Sequence, residues 1–119
     1  MATAHSPVEL LASLVTHYFR LHLAVSSVNY DIVRICLEHG AKIDVRQESQ
    51  ATPFHFACSQ GTLSIVKLML EHHLKQRGEA EGRVVLAMTD NAGMTPLHRA
   101  AMFDHADVVQ YLIQQVLKS

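Results

Sequence analysis

Thr52-Pro53-Phe54-His55-Phe56-Ala57-Cys58 recurs as Thr95-Pro96-Leu97-His98-Arg99-Ala100-Ala101. Phe19-Arg20-Leu21-His22-Leu23-Ala24-Val25 is a weaker third copy. His22 and His55 stand 33 residues apart, and His55 and His98 stand 43 apart, which is the same period plus a ten-residue insertion. Ten residues after each histidine a second block begins: Ile32-Val33 with Cys36-Leu37, Ile65-Val66 with Met69-Leu70, and Val108-Val109 with Leu112-Ile113. Self-similarity at a fixed period of this length is the mark of a stacked-repeat architecture.

Each copy has a readable local chemistry. Thr52 and Thr95 can cap a helix by accepting a backbone N–H through the hydroxyl. Pro53 and Pro96 then take the first helical position, where a missing N–H costs nothing. Small Ala57, Ala100 and Ala101 allow close helix approach. The second block is apolar at i, i+1, i+4 and i+5, a helix buried along one stripe. Gly40, after Leu37-Glu38-His39, reads as a helix stop. Asp90-Asn91-Ala92-Gly93 is a turn in which Gly93 is free to take a positive φ. Each unit is therefore a turn, a short helix, a loop and a longer helix. Neither helix buries its face alone, so the units must stack.

This pattern resembles the ankyrin repeat, whose period and Thr-Pro-Leu-His core it shares over residues 19–115. The resemblance implies an all-α solenoid of about three helix-turn-helix units, with short finger turns and a concave face that binds a protein partner or a neighbouring repeat. Within that family the chain is similar to the N-terminal ankyrin array of transient receptor potential ankyrin (TRPA) cation channels. The stretches that carry this likeness are Leu21–Val25 with Cys36–Asp44, His55–Ala57 with Ile65–Met69, and Leu97–Ala100 with Phe103-Asp104-His105. They keep their order there, and the long link before the third unit recurs. Phe103-Asp104-His105 stands where ordinary ankyrin repeats have Gly-His. The resemblance implies a cytosolic segment of a channel, with no part of the pore in these residues. It also implies that His22, His55 and His98 hydrogen-bond around the turns. A free-standing soluble ankyrin adaptor or inhibitor is the alternative reading.

The units divide the chain into a helical extension (1–18), a degenerate first repeat (19–50), a second repeat with the insertion (51–93) and a truncated third (94–119). Ser6-Pro7-Val8-Glu9 reads as a capping box. Leu11, Leu14, Tyr18, Leu21 and Val25 follow at helical spacing, so one helix is expected from about Pro7 to Ser26. The insertion falls in residues 72–90. Lys75, Arg77, Glu79, Glu81 and Arg83 around Gly78 and Gly82 predict a solvated loop, with Val84–Met88 packed back on the helices or extended. Ser119 comes soon after the last helix and no polar terminal unit follows. A piece of a longer array is expected, with Met102, Phe103, Tyr111 and Val116 partly uncovered.

Composition excludes several classes. The chain has 119 residues, 49% hydrophobic and 18% charged, with a net charge of −1 and two cysteines. One domain with a real core fits, and disorder does not. There is no basic excess for nucleic acid. Two cysteines cannot staple a secreted scaffold. The most apolar stretch, Leu10–Tyr30, contains Arg20, His17, His22 and Asn29. A central arginine alone costs ~2.5–3.5 kcal/mol on insertion, so no membrane span is expected. Residues 1–9 lack Lys and Arg, and Glu9 interrupts the apolar run, which argues against a signal peptide. The expected location is the cytoplasm, or the cytosolic face of a membrane if the chain belongs to a channel.

No metal, cofactor or catalytic site is expected. The adjacent His72-His73 cannot face one another on a helix, and no C-x-x-C or H-x-x-x-H spacing suits zinc. His39 and His105 are expected near helix ends on the surface. Cys36 and Cys58 fall in buried stripes as small hydrophobes. No phosphate-binding glycine loop is present, and Ser59, Ser64 and the carboxylates show no catalytic spacing. Residues Arg46–Gln50 and Asp90–Met94 are the expected fingers. Arg46, Gln47, Glu48, Asn91 and Met94 are the candidate partner contacts.

Overall fold

The computed structural model describes Val25 and residues 29–47 and 49–118. These residues form six helices and no strand: α1 (Tyr30–Glu38), α2 (Pro53–Gln60), α3 (Leu63–Arg77), α4 (Glu79–Ala87), α5 (Pro96–Met102) and α6 (Ala106–Leu117). Helices α2 and α3 make one antiparallel unit, and α5 and α6 make the next. α5 lies against α2, α6 against α3, and α1 against α3. Among the described residues no helix is long and apolar enough to cross a membrane. Residues up to Ala24, with His22 and most of the helix expected over Pro7–Ser26, lie outside the described residues, as does Glu48.

Local chemistry explains where each helix starts and stops. Asn29 caps α1 by accepting the Ile32 N–H at 3.1 Å. Val33, Cys36 and Leu37 form its buried stripe, and Val25 joins them in the core. Gly40, at φ 97, turns the chain after α1. Gly61 closes α2 in the left-handed conformation, with its N–H on the Ala57 carbonyl. One apolar core then runs through the stack, from Val33 and Ile43 through Phe54, Ile65, Met69 and Leu70 to Val108 and Leu112.

The insertion is helical and not a loop. α3 continues through His72 and His73 to Arg77, and Gly78 at φ 89 turns the chain into α4. Glu79 and Glu81 lie in the first turn of α4, where carboxylates favour the positive end of the helix dipole. α4 folds back over α3 and reaches α5 and α6. Val85 is 1% exposed while its neighbour Val84 is 54% exposed, so the helix presents one narrow face to the core. Gly82 lies so close to Leu74 that a Cβ there would collide with the leucine side chain. The glycines and charges that suggested a loop are thus a close-approach point and a solvated face. Tyr111 also departs from expectation. It is 8% exposed, and the Lys67 ammonium sits 5.5 Å from its ring centre. Met102, Phe103 and Val116 are exposed.

Candidate functional site

The finger turns and the repeat boxes beneath them form one hydrogen-bonded frame. The Thr52 hydroxyl accepts the His55 N–H at 3.2 Å, and His55 Nδ1 accepts the Thr52 N–H at 3.2 Å. An N–H aimed at Nδ1 requires a lone pair there. The ring proton therefore sits on Nε2, which donates to the Met94 carbonyl at 2.9 Å. Protonating the ring would turn Nδ1 from acceptor to donor and orphan the Thr52 N–H. The ring is fully buried. Burial pushes its pKa below the ordinary histidine value, and neighbouring Arg99 adds to this against the opposing pull of the Met94 carbonyl and Asp90.

The third unit repeats the box. Thr95 N–H donates to His98 Nδ1 at 3.1 Å, and the Thr95 hydroxyl accepts the His98 N–H at 3.2 Å. His98 is exposed, and its Nε2 has no partner among the described residues. Pro53 and Pro96 both stand at the start of their helices. Gly93 turns the second finger at φ 76.

An ion pair that sequence reasoning missed holds the second finger. Asp90 Oδ1 accepts the Ala92 and Met94 N–H groups at 2.9 and 3.0 Å. Its Oδ2 receives Arg99 Nε at 3.0 Å and Nη2 at 2.6 Å. The carboxylate side chain is 3% exposed and the arginine 20%. Burial alone would raise the Asp90 carboxyl, but the Arg99 guanidinium and the two amides outweigh it and hold it down at about 2. Arg99 also stacks over Phe56 and reaches the Ser59 hydroxyl. The signal was an Asp opening the turn and an Arg following the repeat histidine. Only the fold brings the two together.

The candidate contact residues split between bracing and display. Arg46 Nη1 donates to the Gln50 carbonyl at 2.9 Å and to the Thr89 carbonyl at 2.7 Å, tying the first finger to the base of the second. The Asn91 N–H donates to the Ser49 carbonyl at 3.0 Å, a second tie between fingers. The Gln47 N–H closes its own finger on the Ala51 carbonyl. Met94 is half-buried, with its carbonyl committed to His55. Val45, Ser49, Gln50, Asn91 and Ala92 remain exposed along the finger tips.

Other reactive side chains are scattered. His39 is half-buried at the end of α1. His105 does more than sit at a helix end: its Nε2–H donates to the Ser59 carbonyl at 2.7 Å, joining α6 to the end of α2. His73 is 6% exposed, and its Nε2 has no hydrogen-bond partner among the described residues. Burial raises both thiols, Cys36 and Cys58, and so favours their protonated form. Among the described residues no three His, Cys, Asp or Glu side chains converge to hold a metal ion.

Comparison with known proteins matches this architecture. The profile of ankyrin repeats (3 copies) covers residues 21–118. The chain is 46% identical over 95 residues to the Drosophila melanogaster transient receptor potential cation channel subfamily A member 1, spanning 80% of this chain and 8% of that one. The Homo sapiens channel of the same name is 39% identical over 93 residues, 78% of this chain and 8% of its own. NF-kappa-B inhibitor alpha of Sus scrofa is 32% identical over 93 residues, 78% of this chain and 28% of the inhibitor. The chain thus spans under a third of each of these relatives.

Proposed function

The chain belongs to the ankyrin-repeat family, and from that premise we propose that it is a non-catalytic binding module of the cytosolic ankyrin region of a TRPA-type cation channel. The observation that carries this is the 46% identity to the Drosophila channel over 95 residues, against 32% over 93 residues for NF-kappa-B inhibitor alpha. The module works by rigidity. The Arg46 and Asn91 contacts tie one finger to the next and the Asp90–Arg99 pair ties the second finger to α5, so strain applied at one unit passes to the next. Its partners are proteins or neighbouring repeats; nothing in the mechanism needs a cofactor. The module would lie at the cytosolic face of the membrane.

A chimera tests this. The matching 95-residue segment of the Drosophila channel is replaced by that of this chain, and ionic currents are recorded in a heterologous cell. Currents that respond like the parent channel's support the reading. A chimera that reaches the cell surface and carries no current argues against it. The second reading, a soluble adaptor or inhibitor, draws on the likeness to NF-kappa-B inhibitor alpha. An immunoblot of the endogenous product at the size of a short soluble protein would favour it.

A further inference from the structure

The third unit repeats the second at a 43-residue offset, so every residue at the joint between them has a counterpart on the far face of the third unit. At the joint, the turn between α2 and α3 carries Gly61 at φ 77. The His105 ring lies on that glycine so closely that a Cβ there would collide with it. The ring is anchored by its bond to the Ser59 carbonyl at 2.7 Å. The counterparts of Ser59 and Gly61 are Met102 and Asp104. Asp104 keeps the left-handed turn, at φ 66, and adds a carboxylate. That carboxylate is exposed and has no ion-pair partner among the described residues. Around it lies a groove of about 450 Å³ with an apolar floor of Ala101, Val109 and Ile113. These are the counterparts of Cys58, Val66 and Leu70, which are buried.

We propose that this face takes a further helix pair of the same kind, and that the side chain this pair sets over the α5–α6 turn is an arginine or lysine held by Asp104. The proposal rests on the reading of the chain as a module that stacks with neighbouring repeats. The joint already present supplies the geometry, and Asp104 supplies the chemistry. An imidazole docked as His105 docks on Gly61 would meet the Asp104 Cβ. It would also bury the carboxylate without a partner, which is costly. A longer cation clears the Cβ and pairs with the carboxylate in a charge-assisted hydrogen bond. The face therefore discriminates against a partner built like the third unit itself.

The test extends the chain after Lys118 by one more unit, made from its own finger (residues 40–51) and its own third helix pair (residues 95–117). The appended copy carries either the native His105 or His105→Arg. Thermal melting is read in both forms, with Asp104 of the parent unit native and with Asp104→Gly. The expected result with native Asp104 is an Arg form melting about 2–4 °C above the His form, a gap that narrows at high salt. With Asp104→Gly the order reverses, because the ring then finds its glycine. A His form as stable as the Arg form on native Asp104 overturns the inference and leaves stacking intact. If neither extension melts above the unextended chain, the stacking reading falls and the inference with it.

Discussion

The ring of His55 donates through Nε2 to the carbonyl oxygen of Met94 at 2.9 Å, thirty-nine positions along the chain, and so bolts the second unit to the finger of the third. His98 makes the same contacts inside its own box but bolts nothing among the described residues. Two identical motifs thus carry different loads.

Substituting the two histidines should separate those loads. His55→Ala empties a fully buried site and strands the Thr52 N–H and the Met94 carbonyl. A loss of roughly 3 kcal/mol is expected. His98→Ala removes only the local cap, for about 1 kcal/mol. Urea unfolding of the two variants gives both numbers, and equal losses would place the bolt elsewhere.

The box also sets a pH dependence. The folded pKa of His55 lies below its unfolded value, so folding binds the neutral ring. Its contribution is complete above the unfolded pKa of about 6.5 and is lost as pH falls from there through the folded value. Asp90 acts in a lower window, since its carboxyl drops from 3.8 to about 2 on folding. That contribution, roughly 2 kcal/mol, is present above pH ~4 and is lost as pH falls toward 2. Urea midpoints taken across this range should therefore fall in two stages. In Asp90→Asn the lower stage should disappear.

Gly61 and Asp104 occupy the same left-handed turn in successive units. Aspartate tolerates that conformation at some cost, and glycine takes it freely. Asp104→Gly should stabilise the chain by about 0.5–1 kcal/mol. Gly61→Ala should do the opposite and cost more than 2 kcal/mol, because it adds a collision with the His105 ring to the backbone strain. Thermal melting of the two variants checks both signs.

Neighbouring valines test the helical insertion. Val85→Ala removes buried methyl groups and should cost roughly 2 kcal/mol. Val84→Ala, on the solvated face, should stay within about 0.5 kcal/mol. A disordered insertion would make the two indistinguishable by urea unfolding.

What was legible from sequence divides by range. The capped starts at Thr52 and Thr95, the stop at Gly40 and the buried stripe of α3 depend on residues within one or two turns. Each therefore follows from spacing alone, whereas in α6 Ile113 of the expected stripe is exposed. α4 was hidden because its apolar signal is short. Gly82, Val85 and Leu86 stand at helical spacing, but glycine and flanking charge outweighed three positions. The Asp90–Arg99 pair and the Arg46 brace were hidden for another reason. Their partners meet only after the finger has turned and the next helix has docked. Tyr111 was expected partly uncovered for want of a following unit, whereas it is buried within the stack with Lys67 of the preceding unit over its ring.

The most direct measurement is the ring ¹⁵N spectrum of His55 through an acid titration. A neutral ring protonated on Nε2, persisting below the ordinary histidine pKa with the fold intact, is the expected result. A proton on Nδ1, or titration of His55 at the ordinary value with the fold intact, would contradict the bond to Met94 and with it the joint on which the stacked array depends.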